Sequence, residues 1–135
     1  ELGFLTEPAY RLGMLRAQAM RAVRVIVDIG MHLELAIPTG QAFHPGERWT
    51  PDLGQAFVDG RSRFPVAFMA SEIVRYLGWP GQAISYKVGE RVWLDARAQA
   101  RSRHGAAFDL TAFHRHALDL GPLGLDQLGE ELARF

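Results

Sequence analysis

From Pro8 to Ala36, Leu12, Leu15, Val23, Val25, Ile26, Val27, Ile29, Leu33 and Leu35 recur with only Gly13 and Gly30 to weaken a helix. This pattern predicts one long helix, opened by a proline at a first-turn position where the missing N–H costs nothing. Between Ala22 and Met31 the apolar residues fall on all sides, as in a helix enclosed by neighbours. A chain with such an element must build other elements around it.

The rest of the chain supplies them. "IPTGQAFHPGERW" holds Pro38, Gly40, Pro45 and Gly46 without a sustained period and reads as a structured loop. Thr50, Pro51 and Asp52 spell a helix start, and a short helix is expected to about Val58. Another is expected from about Pro65 to Leu77, ended by "GWPG". Pro80 is expected to open a long helix to about Arg103, with Gly105 behind a basic last turn. Asp109 should cap a helix to Leu120, and a last one should run from Leu125 to Arg134. The expectation is an all-α chain of about six helices, two of them long, with residues 1–135 forming one helical domain or part of a larger helical protein.

Charge and composition narrow the function. Fifteen basic residues balance fifteen acidic ones, so no net field draws the chain to a polyanion, and nucleic acid is not expected as a partner. No apolar run reaches the ~18 residues of a spanning helix. No membrane role and a cytoplasmic location are therefore expected, with secretion left open. Without cysteine there is neither a disulfide framework nor a thiolate metal site. The chain begins at Glu1 rather than Met, which suggests something longer that was processed or cut.

Two groups of polar residues stand in apolar surroundings. Arg24, Asp28 and His32 are spaced four apart and share one stripe of the first helix, with Arg21 a turn earlier. Burying them is costly unless they pair or face a wet cavity. Asp28 is expected to hold Arg24 on one side and to set the tautomer of His32 on the other; such a histidine suits donation to a developing oxyanion. An internal ion pair that docks the helix explains the same spacing. The second group lies in "RYLGWPGQAISYKVGERVW": if Pro80 starts a helix, Gln82, Tyr86, Glu90 and Trp93 stack along one face. A tyrosine on a rigid helix is a good oxyanion donor, although Tyr86 and Trp93 as packing aromatics fit equally. His114 and His116 point about 200° apart on a helix and do not make a ligand pair. No HExxH, phosphate loop or nucleophile elbow is present.

The strings "YRLGMLRAQAMRAVRVIVDIGMH", "FHPGERWTP", "VRYLGWPGQAISYKVGERVWLDARAQA" and "FDLTAFHRHALDLGPLGLDQL" resemble consecutive blocks of the C-terminal region of a bacterial family, domain of unknown function eight-eight-five. The most specific parts are the R-x-x-x-D-x-G-x-H arrangement from Arg24 to His32 and the PGQAxSYKxG block from Pro80 to Gly89. Complete members are several times longer and carry HExxPGHH-like and EGWALY-like blocks similar to those of zinc peptidases. The resemblance implies a zinc-dependent, peptidase-like hydrolase acting on peptide-like substrates.

Both metal-bearing blocks are absent from this sequence, so no zinc is expected on this chain alone. The zinc would lie on an upstream segment or on a second chain. By motif position the resemblance assigns oxyanion stabilisation to His32 and Tyr86, with Asp28 orienting His32. Arg24, Arg75, Gln82 and Lys87 become candidates for holding the substrate backbone or a terminal carboxylate, although ion pairs with Glu72 or Glu90 explain the arginines equally well. A non-catalytic helical scaffold or partner-binding module, recognisable by a large exposed apolar surface, is the alternative.

Overall fold

The computed structural model describes residues 3–135. Among them are six α-helices and no strand: α1 (Pro8–His32), α2 (Pro51–Arg61), α3 (Val66–Gly78), α4 (Ser85–His104), α5 (Leu110–Asp119) and α6 (Leu125–Ala133), with a 3-10 turn at Gly105–Ala107. The all-α class and the number of helices are as expected. No described helix is long and apolar enough to cross a membrane. The chain divides into two compact units, one reaching to Lys87 and the other Val88–Phe135.

In the first unit α1 stops at His32, a turn earlier than its apolar pattern suggests. The Leu35 N–H donates to the Gly30 carbonyl at 3.0 Å and the Glu34 N–H to that of Met31 at 3.4 Å, with Glu34 at φ 47. This is a Schellman closure with glutamate in the left-handed position usually given to glycine. The Glu34 carbonyl accepts from Arg48 Nη1 at 2.8 Å, which ties the reversed backbone to the returning loop. That loop doubles back through a single antiparallel bridge, Ala36 with Arg48. It thereby sets the Trp49 indole on Gly30, where an added Cβ would lie 2.6 Å from Trp49 Cδ1. Gly30 is thus a seat for an indole rather than a flaw in the helix.

Thr50 caps α2 as its sequence promised: Oγ1 accepts the Leu53 N–H at 3.2 Å, with Pro51 at the first helical position. Helices α1, α2 and α3 close over Val27, Val58, Met69 and Tyr76, each with essentially no exposed surface. The enclosed helix expected from the sequence is corrected here. Met20, Val23, Val27 and Met31 form a buried stripe on α1, while Leu12, Leu15 and Ile26 are exposed. Burial is one-sided because the core shared with α2, α3 and the returning loop takes up that stripe alone.

The start of α4 is also corrected. The helix begins at Ser85, and residues 80–84 form turns, so Gln82 does not stack on Tyr86 along a helix face. Gly81 has φ +78, a left-handed conformation that interrupts any helix opened by Pro80. The Asp28 carboxylate, a tertiary partner, accepts the Gly81 N–H through Oδ2 at 3.1 Å and retains the turn.

The second unit has a plainer core. Phe113, Leu132, Ala96, Ala100 and Ala117 are buried, with Trp93 and Phe135 edge-on to Phe113 at 5.8 and 5.4 Å between ring centroids. Asp109 caps α5 by accepting the Thr111 and Ala112 N–H groups at 2.7 and 3.1 Å. His114 packs its ring against Trp93, and His116 against Phe135.

Candidate functional site

The polar stripe of α1 separates into two groups with different partners. Arg24 turns away from Asp28, contrary to the expected pairing, and donates to α3: Nε to the Tyr76 hydroxyl at 2.8 Å and Nη2 to Glu72 Oε2 at 2.6 Å. Tyr76 Oη in turn donates to the same Glu72 oxygen at 3.0 Å. Arg75 straddles the carboxylate, Nε to Oε1 at 3.0 Å and Nη2 to Oε2 at 2.9 Å, and passes Nη1 to Gln82 Oε1 at 2.5 Å.

One carboxylate thus gathers two guanidinium groups and a phenol, which is why both arginines prefer it to Asp28. The Arg75 fork, with smaller help from Tyr76 and Arg24, holds Glu72 down at about 2 against the cost of its burial. Burial pushes the Tyr76 phenol up to about 12. Arg75 is raised by its bond to Glu72. Every member is charged or neutral as its bonds require, so the group is a locked girder between α1, α3 and the 79–84 turn.

Asp28 and His32 make the second group. Asp28 is 1% exposed and spends Oδ2 on the Gly81 N–H. His32 Nδ1 lies 2.8 Å from the Asp28 main-chain carbonyl and 2.9 Å from Asp28 Oδ1. Its proton is aimed at the main-chain oxygen, and the carboxylate oxygen sits alongside at ion-pair distance without a hydrogen bond directed at it. With Nδ1 carrying the proton, Nε2 holds the free lone pair. Nε2 is buried and has no hydrogen-bond partner. His32 itself is one of the residues, with Asp28, Ile29, Leu33, Gly81 and Ile84, that line a cavity of about 210 Å³.

Tyr86 does not line that cavity. Its half-exposed ring lies against the guanidinium groups of Arg21 and Arg24, at 5.1 and 5.5 Å from the ring centroid, and its hydroxyl has no hydrogen-bond partner among the described residues. Arg24 and His32 are eight residues apart on α1, roughly 12 Å of helix rise. Lys87 reaches back to α1 and donates to Gln18 Oε1 at 2.9 Å. Of the candidates read from the sequence, Asp28 and His32 share one cavity; Arg24, Arg75 and Gln82 share the Glu72 girder; Tyr86 and Lys87 stand beside α1 nearer its start.

Sequence reading missed the Gly81 N–H, which no pattern exposes, and the Tyr76 hydroxyl. Glu72, Arg75 and Tyr76, at i, i+3 and i+4, carried the spacing of one helix face.

With this geometry in place, comparison with known families is informative. A family described as "Bacterial protein of unknown function (DUF885)" matches residues 1–132. The chain belongs to the DUF885 family. No curated protein matches it. The family description names a bacterial group and assigns no activity. Zinc enters through the resemblance alone. His32 Nε2 is one neutral donor, and no three His, Cys, Asp or Glu side chains converge as a metal would require among the described residues of this DUF885 chain.

Proposed function

We propose that this chain forms one wall of the catalytic cleft of a peptidase-like, zinc-dependent hydrolase, with the zinc carried by an upstream segment or a second chain. The observation that carries the reading is the state of His32: its tautomer is held by Asp28, its Nε2 is buried without a partner, and the residue lines a cavity. A buried lone pair without a partner costs about 1–3 kcal/mol and calls for a use.

Nε2 takes up a proton and then, as imidazolium, donates it in a hydrogen bond to an oxyanion. Asp28 Oδ1, alongside at 2.9 Å, balances the charge that appears on the ring. The Tyr86 phenol is a neutral donor held against two guanidinium groups, suited to a more distant part of a peptide-like substrate. Arg24, Arg75 and Gln82 act by keeping the 79–84 turn against α1 rather than by binding substrate, since the two guanidinium groups donate to Glu72, Tyr76 and Gln82, and Gln82 Oε1 accepts from Arg75.

The test is hydrolysis of a mixed peptide library by the longest natural form of the protein supplied with zinc, followed by mass spectrometry. Cleavage by the unaltered protein is expected, with His32→Gln lowering the rate about 100-fold or more, the range typical for one oxyanion donor, and Tyr86→Phe lowering it less. Full activity in His32→Gln, or no cleavage of any peptide by the unaltered protein, overturns the reading. A non-catalytic, partner-binding role has one observation in its favour: Leu12, Leu15 and Ile26 of α1, with Val66 and Val74 of α3, are all exposed.

A further inference from the structure

We propose that the aromatic cavity between the 37–49 loop and α2 is a binding site for a small monocarboxylate with a bulky apolar body. The cavity holds about 390 Å³, within the ~300–1,000 Å³ of small-molecule sites. It shares no lining residue with the cavity at His32. Its floor is Ile37, Trp49 and Phe57, all buried, and Phe43 forms a half-buried wall. Phe43 lies 5.9 Å from Trp49 in a stacked pair and 5.1 Å edge-on to Phe57, and Trp49 is edge-on to Phe57 at 5.2 Å. Three aromatic rings hold one another in place and leave room beside them for an apolar guest.

The chemistry of the rim selects which guest. Arg61 is the only charged residue lining the cavity. Its guanidinium carbon lies 4.0 Å from the Phe57 ring centroid and 4.9 Å from that of Phe43. The guanidinium thus rests on two rings of the cavity, and the Arg61 side chain forms no hydrogen bond or ion pair with any described residue. The nearby acids are engaged elsewhere: Asp59 accepts from Gln55 Nε2 at 2.6 Å, and Glu47 pairs with His44 at 2.8 Å. A single planar fork above an apolar floor matches one carboxylate, whose two oxygens it meets side by side. The Gln41 amide on the same rim can supply a further donor.

The chain has three tryptophans, and only Trp49 lines this cavity. The indole N–H signals of Trp49, Trp79 and Trp93 therefore report where a probe sits. Titration of the full chain with 3-phenylpropionate is expected to shift the Trp49 signal alone. The uncharged 3-phenylpropanamide should bind at least about tenfold more weakly, the loss of one charge-assisted hydrogen bond. Arg61→Gln should abolish the preference for the acid, and Ala42→Leu, which fills the rim, should weaken both probes.

Equal affinity for acid and amide, a preference that survives in Arg61→Gln, no shift at millimolar probe, or shifts at Trp79 or Trp93 instead would each overturn the proposal. If Arg61→Gln loses its dispersed indole signals through unfolding, the unaltered protein still decides. The preference for the acid must then shrink as salt rises from ~0.01 to ~1 M, and a preference indifferent to salt overturns the assignment to Arg61.

Discussion

In the unit that reaches to Lys87, a carboxylate, a phenol and parts of two guanidinium groups are folded into the same interior as valines and methionines. Val88–Phe135 closes instead over one phenylalanine, one leucine and three alanines. The first unit carries Asp28 and Glu72 as buried acids, each with a named donor. The second has one buried unpartnered side-chain polar atom among its described residues, His116 Nε2, against the ring of Phe135.

The difference teaches where structure has been spent on more than stability. An apolar core of the second kind tolerates substitution of like for like, and buried polar groups are costly unless every partner is kept. Groups retained at such cost beside a cavity are the ones to test for chemistry.

The largest expected effect tests the plain core. Phe113→Ala should cost about 3–5 kcal/mol, because Phe113 is fully buried beneath Trp93 and Phe135. Denaturant melts read by the near-ultraviolet signal of Trp93 check it, and a loss below about 1 kcal/mol would mean this core is not the one described.

Next is the girder. Glu72→Gln leaves two guanidinium groups and the Tyr76 hydroxyl without their shared acceptor and should cost about 2 kcal/mol. That is less than the ~3–5 of a fully buried pair, because the Arg75 side chain is 34% exposed. The same carboxylate gives a pH dependence of definite sign. Its value falls from 4.5 in the unfolded chain to about 2 in the folded one, so its contribution is fully present above pH 4.5 and is lost as pH falls toward 2. Stability measured over that window should drop less steeply in Glu72→Gln than in the unaltered protein; parallel curves would remove Glu72 from the account.

Gly30→Ala should cost about 1–3 kcal/mol by pushing the Trp49 indole off α1, with the fluorescence of that indole moving toward its exposed value. Helix caps should make the two units alike: Thr50→Ala and Asp109→Ala are each expected to cost about 1 kcal/mol, the second somewhat more because Asp109 holds two N–H groups and Thr50 one. The smallest effect belongs to Arg91→Ala, an exposed i,i+4 pair with Asp95, at under about 0.5 kcal/mol.

Much of the helical order was legible without coordinates. Thr50-Pro51, Asp109 and the glycines at 78, 105 and 121 punctuate the chain where helices begin and end, because capping and backbone freedom are local properties. The pairing of Asp28 with His32 was legible too, since residues four apart on a helix meet. Which acid Arg24 would bind was not, since Glu72 stood beside Asp28 and Glu90 as a possible partner. Asp28 stands four residues away and Glu72 forty-eight, and the nearer acid lost because its Oδ2 was taken by a main-chain N–H and the farther one came with a second arginine and a phenol.

The start of α4 failed for a related reason. Proline at the first turn is a sound local signal, but Gly81 at φ +78 under a tertiary hydrogen bond outweighed it. Spacing, caps and the R-x-x-x-D-x-G-x-H and PGQAxSYKxG blocks were enough for the all-α class and the family, because each is written within one or two turns of chain. Tertiary structure alone decided that Gly30 seats an indole, that Arg24 joins Arg75 on Glu72 and that His32 keeps an unpartnered nitrogen buried beside a cavity. Each depends on groups far apart in sequence, brought together only when burial made their unspent hydrogen bonds expensive.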